Sequence, residues 1–188
     1  MFFSALQKQI NRKNSRFLWS KNIFFIILHP RMTNKQKICA FFATGFGSGF
    51  WPWGPGTAGA FVGTLMWMGC GCIVTESTLF WITLGAIIIA TAVGSWTTDQ
   101  LEPIWGEDPS RVVIDEMIGV WIPLLASPIG SWKYAVLSFV LFRFFDILKP
   151  LGIRSLDRRH GGFWVMADDI FAGIYSLAII LILQWAGI

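Results

Sequence analysis

Two long stretches of the chain carry no charge: Ile38 to Thr75 and Thr78 to Thr98. The first is punctuated from Gly45 to Gly59 by Gly45, Gly47, Gly49, Gly54, Gly56 and Gly59 with Pro52 and Pro55, a pattern that ordinarily cannot propagate a helix. It therefore predicts a short apolar helix over Ile38–Thr44, a Gly/Pro loop, and a span over Ala58–Val74 that at about 1.5 Å per residue only just crosses a bilayer's hydrocarbon. Glu76 marks the far side, and Thr78–Thr98 is long enough to return, ending where charges resume at Asp99. Met117–Ala126 is apolar but too short to cross. Pro128 and Gly130 make a turn, Ser131–Leu148 forms the next span despite Arg143 and Asp146, and Val165–Ala186 forms the last.

Composition strengthens this picture. Of 188 residues, 54% are hydrophobic and 14% charged, against about 25% charged in an ordinary soluble domain. A disordered chain, a solvated coiled coil and a typical soluble enzyme are all disfavoured. The expected fold is all-α: an integral membrane helical bundle with a Gly/Pro-rich loop on the cytoplasmic side and short or re-entrant helices. The net charge of +4 hides an asymmetry, since residues 1–37 hold eight of the 15 Lys+Arg and none of the 11 acids. Such a basic segment beside apolar spans reads as a cytoplasmic flank drawn to anionic lipid, not as a nucleic-acid module. It divides the chain into a basic arm, 1–37, and one helical domain, 38–188. The arm is no secretory signal: Ile23–Leu28 is too short a core and His29-Pro30-Arg31 is no cleavage site. It is either an interfacial arm or the product of translation upstream of a start at Met32, and an arm dispensable for chemistry is the favoured expectation.

With the arm inside, the chain crosses out at Ala58–Val74 and back at Thr78–Thr98. The loop from Asp99 to Glu116, then Lys149, Arg154, Arg158 and Arg159, also fall inside, so every polar cluster collects at one boundary. Cys39, Cys70 and Cys72 are too few for a disulfide framework and, with only His29 and His160, form no zinc pattern; they read as apolar filler.

Three polar clusters remain. Asp108 to Gly119 places the pair Asp115-Glu116 at the opening of an apolar helix. Arg143 and Asp146 share a helix face at a spacing of three and are followed by Lys149-Pro150. Asp157-Arg158-Arg159-His160-Gly161-Gly162 precedes Asp168-Asp169 near the start of the last span. Singly, carboxylates in a helix's first turn are explained by its dipole, at about 0.3–1 kcal/mol, and Arg143 with Asp146 by a structural ion pair. Jointly, charge facing lipid costs about 2.5–3.5 kcal/mol per residue, so Asp115, Glu116, Asp146, Asp168 and Asp169 should face a shared polar interior. There they would repel one another unless a cation neutralised them. An oxygen-bound hard divalent ion suits this set, and Mg2+ is the preferred metal.

Arg143, Lys149, Arg154, Arg158 and Arg159, with His160, imply an anion beside the metal, and phosphate suits Arg and Lys alike. Backbone N–H groups of Gly45-Phe46-Gly47-Ser48-Gly49 and Pro55-Gly56-Thr57 are further candidates to hold it, although glycines in membrane proteins more often permit close helix packing. There is no cysteine phosphatase loop, no Gly-x-x-x-x-Gly-Lys nucleotide site and no Asp-x-Asp nucleophile motif. What remains is metal-assisted attack on a phosphate monoester by water or by a carboxylate. The alternative from another class is a small cation transporter or channel lined by the same carboxylates, disfavoured because the first two spans are uncharged and the far side offers only Glu76.

In this order, Gly45–Gly49 with Pro55-Gly56-Thr57, Asp108 through Gly119, Arg143 with Asp146 and Lys149-Pro150, Asp157 with His160-Gly161-Gly162, and Asp168-Asp169 resemble the bacterial phosphatidylglycerophosphatase A family over Ile38 to Trp185. The resemblance implies a multi-pass protein of the bacterial inner membrane with its site on the cytoplasmic side. It also implies Mg2+-dependent conversion of phosphatidylglycerophosphate to phosphatidylglycerol and inorganic phosphate. On that footing Asp115, Glu116, Asp168 and Asp169 are the leading metal ligands, and Asp146 completes the site or orients the attacking water. Asp108 and Asp157 are second choices. Arg143 and Lys149, with Ser48, Gly56 and Thr57, would hold the phosphate, and His160 would protonate the leaving glycerol oxygen. Asp115-Glu116-x-x-Gly119 and Asp168-Asp169-x-x-Ala172-Gly173 have the same form, which predicts two helices crossing closely with an ion between them. Trp51, Trp53 and Trp105 suit an interfacial aromatic belt.

Overall fold

Thr33 caps the first helix reciprocally: its hydroxyl accepts from Gln36 N–H at 3.3 Å while Gln36 Oε1 accepts from Thr33 N–H at 2.9 Å. The structure, a computed structural model, describes residues 32–106, 109–150 and 161–187. Six α-helices and one 3-10 turn make up the described residues: α1 (Asn34–Ala43), the turn Ser48–Phe50, α2 (Pro55–Gly71), α3 (Glu76–Trp105), α4 (Ile114–Leu124), α5 (Trp132–Leu148) and α6 (Gly162–Trp185). The basic arm up to Arg31 lies outside the described residues. Met32, where they begin, is packed among Cys39, Ala40 and Leu101.

The helix order follows the expected one, and three of the differences in extent bear on the site. α2 begins at Pro55, ahead of the expected Ala58, and carries Gly56, Gly59 and Gly63 inside it. Proline at the first helical position loses no hydrogen bond, and the glycines are tolerated because other groups occupy the space their side chains would fill. A Cβ on Gly59 would strike Val113, and one on Gly63 would press on Met117 and Val120. α3 runs past Asp99 and through Pro103 to Trp105, so the charges at its end do not stop it. α4 begins at Ile114, placing Asp115 and Glu116 in its first turn.

α4 is the centre of the bundle. Ile114, Asp115, Met117, Ile118, Gly119, Val120 and Ile122 are all buried, with α2 and α6 packed most extensively against it. α4 and α6 run in the same direction. Asp115 lies near Asp169, a Cβ on Gly173 would come 2.5 Å from the Gly119 carbonyl oxygen, and Gln184 Nε2 donates to the Ala126 carbonyl at 2.5 Å. The expected close crossing at the two glycines is what the structure contains. Asp99 on α3 accepts from Gly162 N–H at 2.6 Å, bringing the end of α3 to the start of α6. Trp121 Nε1 donates to the Gly63 carbonyl at 2.9 Å, fastening α4 to α2.

α3 and α6 are long and apolar enough to cross a membrane, and only 17% of the most apolar stretch of α3 is buried. Phe80, Trp81, Ile82, Ile88, Ile89 and Trp96 stand exposed along α3, and Leu181 and Ile182 along α6.

Candidate functional site

The first turn of α4 supplies two of the site's carboxylates and the second turn of α6 supplies two more. One carboxylate oxygen each from Asp115, Glu116 and Asp169 lies within 4.8 Å of the others. Asp115 is 7% exposed, Asp168 7% and Asp169 4%, a degree of burial that carboxylates tolerate only when partnered. Burial holds the Asp115 carboxyl well above its ordinary range, and the adjacent Glu116 charge pushes it the same way. Burial also raises Glu116, against an opposing pull from a hydrogen bond with Asp115. Glu116 Oε2 is buried with no hydrogen-bond partner. The set thus brings hard oxygen donors close together, with a buried unpartnered oxygen on one of the same residues, and this donor chemistry fits a divalent cation such as Mg2+.

The last turns of α5 bring the basic side chains to the same place. Arg143 Nη1 lies 2.7 Å from Asp146 Oδ2, yet Nη1 and Nε are buried with no partner in hydrogen-bond geometry. The pair is a charge contact that leaves donors over. Arg143 also lies against Gly56, as Glu116 does: a Cβ at Gly56 would run into the Glu116 carboxylate and come within 3.2 Å of Arg143 Nη1. Lys149, in left-handed conformation at the end of α5, donates from Nζ to Asp168 Oδ2 at 2.7 Å. Asp168 is therefore held by a cation already present in the chain, and it stands outside the trio of converging oxygens.

Of the expected site residues, Asp115, Glu116, Asp146, Asp168, Asp169, Arg143, Lys149 and Gly56 come together at the end of the bundle that carries the N-termini of α2, α4 and α6. Asp108, Asp157 and His160 lie outside the described residues. The Gly45–Gly49 segment is placed differently from a phosphate cradle. Gly45, Gly47 and Gly49 donate their N–H groups to Phe42, Thr44 and Thr44 carbonyls, Ser48 N–H goes to Gly45, and the Ser48 hydroxyl donates to Gly45 at 2.9 Å. The glycines instead permit close packing, with a Cβ on Gly49 running into the Arg111 carbonyl and one on Gly45 coming within 2.8 Å of Met117. Gly56 and Thr57 fare better as anion donors, since they occupy the second and third positions of α2, where helix N–H groups have no intrahelical acceptor.

Sequence reasoning missed Asp99, read only as the place where charge resumes; its clasp on Gly162 anchors the helix carrying Asp168 and Asp169. The signal was the Gly161-Gly162 start of that helix, which has no side-chain cap of its own.

Fold and site define a protein, all-helical among the described residues, whose buried acidic cluster, flanked by arginine and lysine, is suited to phosphate ester chemistry. The sequence pattern of the phosphatidylglycerophosphatase A family matches residues 41–184. A putative phosphatidylinositol-3-phosphatase of Bacteroides thetaiotaomicron is 48% identical over 76% of this chain and 91% of its own length. Phosphatidylglycerophosphatase A of Haemophilus influenzae is 37% identical over 76% of this chain and 86% of its own, and that of Escherichia coli 36% identical over 73% and 78%. No solved structure gives a significant match. The chain belongs to the phosphatidylglycerophosphatase A family, and it is a phosphoric monoester hydrolase.

Proposed function

We propose that the protein hydrolyses the terminal phosphate of phosphatidylglycerophosphate, giving phosphatidylglycerol and inorganic phosphate, in a Mg2+-dependent reaction at the cytoplasmic face of a bacterial inner membrane. One observation carries the reading: the converging oxygens of Asp115, Glu116 and Asp169 sit beside the unsatisfied donors of Arg143. A cation pathway is disfavoured because these groups gather at one end of the bundle.

Asp115, Glu116 and Asp169 would hold the metal, which when bound supplies charge neutralisation at the phosphoryl oxygens. Arg143 and the free N–H groups at the start of α2 bind the phosphate, replacing its hydration with fixed donors. Asp146 fixes the Arg143 head and orients the attacking water. Lys149 holds Asp168 and contributes positive charge at the rim, and His160 is the proposed donor to the leaving glycerol oxygen. α2, α3, α5 and α6 span the bilayer: their exposed faces are apolar, and a lipid headgroup lies at the depth where helix ends meet water. At 17 residues each, or about 25 Å, α2 and α5 just suffice.

Phosphate release from phosphatidylglycerophosphate in detergent, with Mg2+ and with chelator, tests this. Phosphatidylinositol 3-phosphate is the comparison substrate because the Bacteroides relative bears that name. Asp115→Asn and Asp169→Asn should each reduce turnover more than about 100-fold while melting as cooperatively as the parent. Near-normal release by either variant, or preference for the inositol lipid, would overturn the assignment.

A further inference from the structure

At the end of α2 that carries the acidic site opens a groove of about 380 Å³, its wall including Trp51, Trp53, Thr57, Phe61, Val62 and Phe139. We propose that it receives the diacylglycerol end of the substrate, gripping the glycerol backbone and the first acyl methylenes. The enzyme would then recognise its lipid by its apolar root as well as by its phosphate. The inference rests on the reading above that the substrate is a phospholipid.

Three features of the groove point to an amphiphile with that orientation. The first is continuity: Gly54 and Thr57 line the groove while Gly56, between them, touches Glu116 and Arg143. The groove thus begins at the same end of α2 as the acidic site, on the face next to the one that Gly56 turns to Glu116 and Arg143. The second is a gradient of polarity. Ser48, Thr57 and the two indoles, which meet edge to face at 6.1 Å, are at the site end. Phe61, Val62 and Phe139 close the other end, with the Phe61 and Phe139 rings 6.4 Å apart.

The third is direction. Phe61 and Val62 follow Gly56 by five and six residues along α2, about 8 Å of helix. Phe139 precedes Arg143 by one turn of α5, so both walls lead from the charged end toward the middle of the apolar bundle. Phe61 is 53% exposed and Trp53 84% exposed, which leaves the groove open along one side. A chain tethered in a bilayer enters from there without leaving the lipid.

Two measurements test the proposal. The first compares kcat/KM for a short-chain diacyl phosphatidylglycerophosphate with that for its deacylated, water-soluble counterpart. The parent should prefer the diacyl substrate by roughly tenfold or more, since each buried methylene is worth severalfold to tenfold. Val62→Trp, which fills the groove, should erase that preference through KM for the diacyl lipid and leave the soluble substrate unchanged. Phe139→Ala, which widens the groove, should shift the preference toward bulkier chains.

The second measurement needs no turnover. A phosphatidic acid carrying a photoreactive diazirine near the carbonyl end of one acyl chain should label Val62 or Phe139, the half-buried residues of the groove wall. Equal loss on both substrates in Val62→Trp, no diacyl preference in the parent, or labelling spread over Leu65 and Val136 on the outer faces would each overturn the proposal. Absence of phosphate release from either substrate by the parent would overturn the proposed activity, and labelling at the groove then decides whether it binds a phospholipid.

Discussion

A methyl group on Gly56 would land on the Glu116 carboxylate and crowd Arg143 Nη1. This glycine is thus set by what it touches: its φ is unexceptional, and any residue with a Cβ would displace either the carboxylate or the guanidinium. Gly56→Ala should therefore reduce kcat sharply while leaving thermal stability close to the parent, because one side chain at the edge of the site can swing aside where a backbone cannot. A melting temperature that falls in step with activity would show instead that the contact is only structural. The acidic residues of the cluster were legible in the sequence, since five carboxylates in an otherwise apolar chain must share an interior. Their grouping was not: that Lys149 takes Asp168 while Asp169 joins Asp115 and Glu116 depends on which way adjacent side chains leave one helix turn.

At the scale of elements, the site depends on α4 and α6 approaching closely one turn beyond their acidic pairs. Gly119 and Gly173 allow this, each standing where a Cβ would meet the other helix's backbone, with Phe142 against Gly119 and Ile122 against Gly173. The repeated spacing of acidic pair and glycine made the crossing readable, because i and i+4 share a helix face whichever helix it is. The start of α2 was not readable in the same way. Glycines that break an isolated helix are here required by Val113, Met117 and Val120 pressing on them, a tertiary demand invisible to local propensity. Of the two roles open to the Gly45–Gly49 segment, anion cradle or close packing, the structure has the second: a tight turn packed on Arg111 and Val113. Gly173→Ala should cost about 1–3 kcal/mol of stability by overpacking, and it should weaken divalent cation binding as well, since prying the helices apart separates Asp115 from Asp169. A destabilised variant with unchanged cation affinity would mean that the crossing holds the fold but not the site.

For the whole molecule, the consequence of gathering buried carboxylates at one end is that the bundle carries a fixed repulsion there. Lys149 offsets Asp168 and Arg143 offsets Asp146, while Asp115, Glu116 and Asp169 bring one carboxylate oxygen each together and Glu116 Oε2 has no hydrogen-bond partner. A cation that binds the native arrangement and not the unfolded chain stabilises the fold by mass action, about 2.7 kcal/mol at a concentration one hundred times its dissociation constant. Melting of the detergent-solubilised protein should therefore rise by several degrees as Mg2+ is added and fall back with chelator. Asp169→Asn should start closer to the saturated value, because it removes one of the mutually repelling charges, and should respond little to added Mg2+. That pairing separates a bound ion from general ionic strength, which would shift parent and variant alike. Equal shifts in both would place the cation elsewhere and leave the carboxylates held by protons and by their arginine and lysine partners alone.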